Sequence, residues 1–159
     1  MRISIVCVGK IKEKFYRDAL DEYAKRLSRY CKFEIIEVQD EQTPDRACET
    51  QEDKIREKEA ARILSRLRED TYVCTLEISG RMLDSVELAD WINQAALCGK
   101  SDITFVIGGS LGLHDSVTKR SDFHLSFSRM TFPHQLMRVI LSEQIYRSFR
   151  IINGEPYHK

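Results

Sequence analysis

No stretch of this 159-residue sequence holds the roughly 18–20 consecutive apolar residues that a helix needs to cross a bilayer. The opening MRISIVCVGK has an apolar run but no small-residue cleavage pattern after it. It reads as a buried first strand and not as a signal peptide. Charge of one sign is not in excess either: 25 Lys/Arg face 25 Asp/Glu. A net charge of zero argues against non-specific binding to nucleic acid. Cysteine is sparse and scattered, at Cys7, Cys31, Cys48, Cys74 and Cys98, with an odd count and no CxxC. That excludes a disulfide scaffold and a zinc site of the usual spacing, and the chain reads as cytosolic. Cys7 and Cys74 sit in apolar runs, where a reduced thiol packs as a small hydrophobe.

Familiar catalytic patterns are missing too. No Gly-Lys-Ser/Thr follows a glycine-rich loop, so there is no Walker A motif. The first apolar run ends in Val8-Gly9-Lys10 without the second glycine of a dinucleotide fingerprint. No Ser/His/Asp order, no evident pair of acid/base carboxylates and no His/Cys metal set stands out, so no metal is expected.

What is present is a strand–helix alternation. Apolar runs rich in Ile, Val and Phe occur at 2–8, 33–38, 72–78 and 103–107, with a shorter one at 123–127. Between them lie helical stripes. One joins Phe15, Ala19, Leu20, Tyr23, Leu27 and Tyr30, and a highly charged one runs over 49–68. Residues 85–97 follow Asp84 and Glu87, which are spaced as a capping box. A last helix opens near Pro133 with a stripe through Leu136, Met137, Ile140, Leu141, Ile145 and Phe149. The stretch 39–47 reads as a loop. With 42% apolar and 31% charged residues, the chain has the makings of one globular domain, 1–159. The fold expected is α/β: an open, mostly parallel sheet with helices on both faces.

Ligands of such sheets sit beyond the C-terminal ends of strands. That rule directs attention to Gly9-Lys10, Ser79-Gly80, Gly108-Gly109 and the residues after Phe127. Gly108, Gly109 and Gly112 allow backbone amides close to a ligand, although a plain tight turn has the same composition. Ser128 to Thr131 form a polar loop before Pro133, which can hold a ligand through backbone groups or simply join two elements. His134 and Arg138 share a helix face at i, i+4. Glu143 and Arg147 have the same spacing and read foremost as a surface ion pair. Residues 119–159 carry seven Lys/Arg against three Asp/Glu, so the basic surplus lies in the last third of the chain. The ending NGEPYHK offers a stacking ring, an imidazole and an ammonium behind Pro156, although a terminal His taken by itself reads as exposed and idle.

Taken together, IGGSLGL at 107–113, TFPHQLMRVILSEQIYR at 131–147 and NGEPYHK at 153–159 resemble the ribosomal RNA large subunit methyltransferase H family, small SPOUT-class enzymes. The resemblance runs from the opening VGK to the closing YHK. It implies S-adenosylmethionine as methyl donor and N3 of a pseudouridine in a 23S rRNA hairpin loop as acceptor. It also implies a C-terminal trefoil knot and a homodimer. The family's cofactor positions fall on Leu76, Gly108, Phe127, Ser128, Arg129, Met130, Thr131 and Phe132. Arg129 is bulkier than the small residue of relatives, and Ser110-Leu111 replaces a Pro-Glu or Ser-Asp.

The chemistry needs a nucleophile placed about 3 Å from an activated methyl group and in line with it. It also needs a way to remove or offset the N3 proton. His134, Arg138, Tyr157 and His158 are the catalytic candidates. Arg147, Tyr157, His158 and Lys159 are candidates for RNA contact, through phosphates and stacking. The tail is expected at the cofactor site, with a dimer interface as one route there. Ribosomes are the expected substrate and partner, with no membrane involved. A SPOUT enzyme acting on tRNA and a non-enzymatic nucleotide-binding module associated with the ribosome are the rival readings.

Overall fold

The run RISIVCV, Arg2–Val8, alternates between two apolar environments, and so it forms a central strand covered on both sides. In this computed structural model, which describes residues 1–157, Ile3, Ile5 and Cys7 pack into one hydrophobic layer and Val6 and Val8 into the other. That strand is β1. It is followed by α1 (Lys14–Leu27), β2 (Lys32–Val38), α2 (Glu49–Leu64) and β3 (Tyr72–Met82). Then come α3 (Ser85–Leu97), β4 (Asp102–Ile107), α4 (Asp115–Arg120), β5 (Phe123–Ser126) and α5 (His134–Ile152). The strands run in the order β2-β1-β4-β3-β5, and every pairing between them is parallel. Residues of α1, α3 and α5 share the first hydrophobic layer, and residues of α2 and α4 share the second. The α/β sheet with helices on both faces is the one expected.

Helix ends follow local chemistry. Asp84 accepts the N–H groups of Val86 and Glu87, and Glu87 accepts the Asp84 N–H at 2.8 Å, so the expected capping box is present. Both α1 and α2 stop earlier than the periodicity implies, at Leu27 and Leu64. The apolar residues beyond them, Tyr30 and Leu67, belong to turns that still pack on the core. Phe15 departs from its expected stripe: it is 62% exposed at the start of α1. The six-residue α4, capped by His114, was not expected, because so short a segment shows no period.

The β3 end also differs. The strand passes 78 and reaches Met82, and its register against β5 jumps between Leu76 and Arg81. Residues 77–80 therefore bow outward, and Ser126 Oγ donates to the Ile78 carbonyl at 3.0 Å across the bow. Gly80 closes it against β5. A Cβ there would lie 2.7 Å from the Leu125 carbonyl carbon and 2.9 Å from that of His124. Both are backbone atoms, so neither can swing aside. Gly80→Ala should lower the unfolding free energy by about 2 kcal/mol, an overpacking effect read from the urea midpoint. An unchanged midpoint would mean that the two strands separate freely here.

Candidate active site

Four segments meet at the C-terminal end of the sheet, around a cavity of about 580 Å³. The β3 end contributes Leu76 to Ser79, the turn after β4 contributes Ile107 to Leu113, and the loop after β5 contributes Phe127, Ser128 and Met130 to Phe132. His134 and Met137 add the first turns of α5. The β4 turn doubles back on itself: Gly112 N–H donates to the Gly109 carbonyl at 3.1 Å. Gly108 lies under that return, where a Cβ would sit 2.9 Å from the Gly112 carbonyl carbon. In the β5 loop, Ser128 Oγ accepts the Met130 N–H at 3.0 Å, which holds the chain in a turn facing the cavity.

All the cofactor positions implied by resemblance line this cavity except Arg129, whose side chain is exposed outside it. Ile107, Leu113, Thr118, Leu125 and Met137 line it too, and nothing in the sequence singled them out. Each is an apolar or small side chain, so only the fold brings it here. Glu77 is the one Asp, Glu, Lys or Arg among the described lining residues. Its carboxylate accepts from Thr75 Oγ1 at 2.6 Å and contacts His124 Nδ1 at 2.7 Å. A cavity with a carboxylate and, among the described residues, no lysine or arginine in its wall suits a ligand that carries positive charge.

His134 lies between the cavity and the end of β1. A Cβ on Gly9 would sit 3.5 Å from His134 Nε2 and 3.8 Å from Arg138 Nη2. Burial, and then the Arg138 cation, push the His134 pKa below its ordinary 6.5, with Lys12 adding to the effect and Asp40 opposing it. His134 is thus a neutral imidazole at pH 7, able to accept a proton.

Arg138 shares the face of His134, as the i, i+4 spacing implies, and both reach Gly9. Arg138 falls on the buried stripe of α5 with Leu141, Ser142, Ile145 and Phe149 and is completely buried. Its Nη1 donates to Glu37 Oε1 at 3.0 Å, and its Nη2 donates to the carbonyls of Val8 and Gly9 at 2.7 and 2.9 Å. The expectation of Arg138 as a catalytic group is corrected: the guanidinium is fully buried and committed to the end of β1. It acts on His134 through its charge and its packing.

The tail residue Tyr157 does not line the cavity of its own chain. It packs edge-on against Tyr146, donates to Glu143 at 3.2 Å and lies under the Arg147 guanidinium, 4.8 Å from ring centroid to Cζ. Arg147 and Glu143 form the expected i, i+4 pair at 2.6 Å. Glu143 is nine residues past His134, or roughly 13 Å along the helix. Burial, followed by the Glu143 carboxylate, raises the Tyr157 pKa above 10, so it stays a neutral phenol. His158 and Lys159 lie outside the described residues.

Burial also pushes the thiols of Cys7 and Cys31 up, to about 12 and about 11, and that of Cys74 well above its usual value, so these cysteines pack as hydrophobes. Among the described residues, no three His, Cys, Asp or Glu side chains gather as a metal site would require. No helix among them is long and apolar enough to cross a membrane.

The chain is similar to known proteins in fold and in sequence. A solved "probable methylase family protein" from Haemophilus influenzae Rd KW20 superposes with a TM-score of 0.53 at 15% identity, covering 99% of this chain and 70% of that one. At that identity the match concerns the fold alone. A "Putative ribosomal RNA large subunit methyltransferase H" from Methanococcus maripaludis (strain C5) is 63% identical over the full length of both chains. A "Ribosomal RNA large subunit methyltransferase H" from Clostridium botulinum (strain Alaska E43) is 57% identical, again over both full lengths. The family model described as "Predicted SPOUT methyltransferase" matches residues 1–158, so the chain belongs to the SPOUT methyltransferase family.

Proposed function

We propose that this chain transfers a methyl group from S-adenosylmethionine to N3 of a pseudouridine in a 23S rRNA hairpin loop, on assembled ribosomes and as a homodimer. The observation that carries the reading is the convergence of Leu76, Gly108, Phe127, Ser128 and Met130 to Phe132 on one cavity with no lysine or arginine in its wall among the described residues. The full-length relatives named for large-subunit rRNA support the substrate class.

When bound, S-adenosylmethionine supplies a methyl group already activated by its sulfonium. The residues of this chain have three tasks. The β3 bow, the β4 turn and the β5 loop hold the cofactor and exclude water from it. The His134 imidazole, at the cavity wall, takes the N3 proton and so leaves N3 with the lone pair that would accept the methyl group. Tyr157, His158 and Lys159 hold the target nucleotide by stacking and charge, with Arg147 on a nearby phosphate. Because Tyr157 lies well away from its own cavity, the tail of one protomer serves the site of its partner. The last segment, threaded past the β4 turn as a trefoil knot, keeps the two loops on either side of the cavity.

The test uses tritiated S-adenosylmethionine with ribosomes, free large subunits and tRNA, each from cells lacking the modification. Label in 23S rRNA supports the reading, and a strong preference for ribosomes supports a composite recognition surface. Label only in tRNA replaces the substrate while keeping the chemistry. Cofactor binding without any transfer replaces the enzyme with a binding module. Deleting Tyr157 to Lys159 should reduce transfer at least tenfold while leaving cofactor affinity intact, since stacking alone contributes about 1–3 kcal/mol per base. Transfer at the wild-type rate after that deletion would remove the tail from the mechanism.

A further inference from the structure

The turn after β1 and the first turn of α1 read GKIKEKFYR, residues 9–17. Lys10, Lys12, Lys14 and Arg17 lie here against the single carboxylate of Glu13. Lys14 is paired with Asp18 at 2.7 Å, and Arg17 donates to the Ile11 carbonyl at 3.0 Å. Lys10 and Lys12 are exposed, and their ammonium groups have no partner among the described residues. Between these cations stands Phe15, 62% exposed, with its ring centroid 4.3 Å from that of Tyr16. An aromatic ring turned to solvent at the start of a helix contributes nothing to the core, and here Lys10, Lys12, Lys14 and Arg17 flank it in sequence.

This lip adjoins the cavity. The Lys12 N–H donates to Gln135 Oε1 at 2.9 Å, and the neighbouring His134 lines the cavity wall. The lip lies at the C-terminal end of β1, on the same side of the sheet as the ligand-facing loops. We infer that Phe15, Lys10 and Lys12 form a single-strand RNA contact, with Phe15 stacking on an unpaired base of the substrate and the two lysines on its phosphates. Exposed aromatics interleaved with cations are the means by which unpaired nucleotides are held. The charge of the lip selects an anionic strand over an apolar protein surface.

The inference rests on the proposed rRNA substrate. The experiment measures methyl transfer to unmodified ribosomes for the wild type, F15A, F15W and the double variant K10A/K12A, over a range of salt. F15A should raise KM for the RNA substrate roughly tenfold, and F15W should restore it. K10A/K12A should reduce the slope of log KM against log salt by about 1.4, two single-strand phosphate contacts at about 0.7 each. For all variants, kcat at saturating substrate, cofactor affinity by calorimetry and sedimentation should match the wild type. Unchanged KM and slope in variants of an active enzyme overturn the inference and leave the proposed function standing. A changed sedimentation for F15A overturns it in favour of a contact between copies of the chain. No transfer by the wild type to any RNA overturns both.

Discussion

Arg138→Met is expected to lower the unfolding free energy by about 4 kcal/mol, measured from urea denaturation at neutral pH. The side chain is fully buried, and it is the donor for two carbonyls at the end of β1 and the partner of Glu37. Methionine fills much of the volume but donates nothing. The Val8 and Gly9 carbonyls then stay buried without that donor, at about 1–3 kcal/mol for an unsatisfied group. Removing one member of a buried charged pair typically has an effect of about 3–5 kcal/mol. Glu37 is 34% exposed at its side chain, so water can recover part of the loss on that side. A shift below about 1 kcal/mol would show that the carbonyls find other donors and that Arg138 is not the tie between α5 and β1.

Replacing His134 with glutamine should reduce kcat about a thousandfold, within the roughly 10²–10⁴ that a general base contributes. The pH profile separates this from a merely structural effect. The wild-type rate should fall on the acid side as the imidazole gains its proton, with a midpoint below 6.5 because burial and the Arg138 cation depress its pKa. The glutamine variant should lose that limb. Stability provides an independent reading. The folded pKa lies below the unfolded one, so the unfolded chain binds more protons in the interval between them. The contribution of His134 to stability is therefore present above about pH 6.5, declines as pH falls through the lowered value, and levels off below it. The variant should not show this decline. An acid limb that survives in it would assign the proton transfer to another group.

The two experiments are linked. Arg138 contributes to the depressed His134 pKa, so Arg138→Met should also move the acid limb of any residual activity upward. A side chain with no contact to the cavity would then be acting on the proposed base through its charge, as a positioning residue.

The strands and helices were legible because their signals are local. β1 and β4 are short, β-branched, continuous apolar runs, and such runs form central parallel strands in any arrangement that covers both faces. Asp84 and Glu87 cap α3 through contacts three residues apart, so their spacing suffices. The loops that line the cavity could be picked out for the same reason: glycines and polar residues directly after a strand mark where such a sheet presents its C-terminal end.

The tertiary structure decided what depends on contacts distant in sequence. Arg138 reads from its spacing as a catalytic candidate on the face of His134. Its partners lie 101 to 130 residues away, and only the packing of α5 against the end of β1 supplies them. Phe15 reads as part of an apolar stripe, yet nothing covers the start of α1, so it faces solvent. The bow in β3 and the approach of Gly80 to β5 come from a register shift that no period of two can announce. The sequence by itself determined which segments are strands, helices and the loops between them, because hydrogen bonding and amphipathicity act over a few residues. The fold alone determined which of their side chains face one another, because burial is a property of the assembled layers.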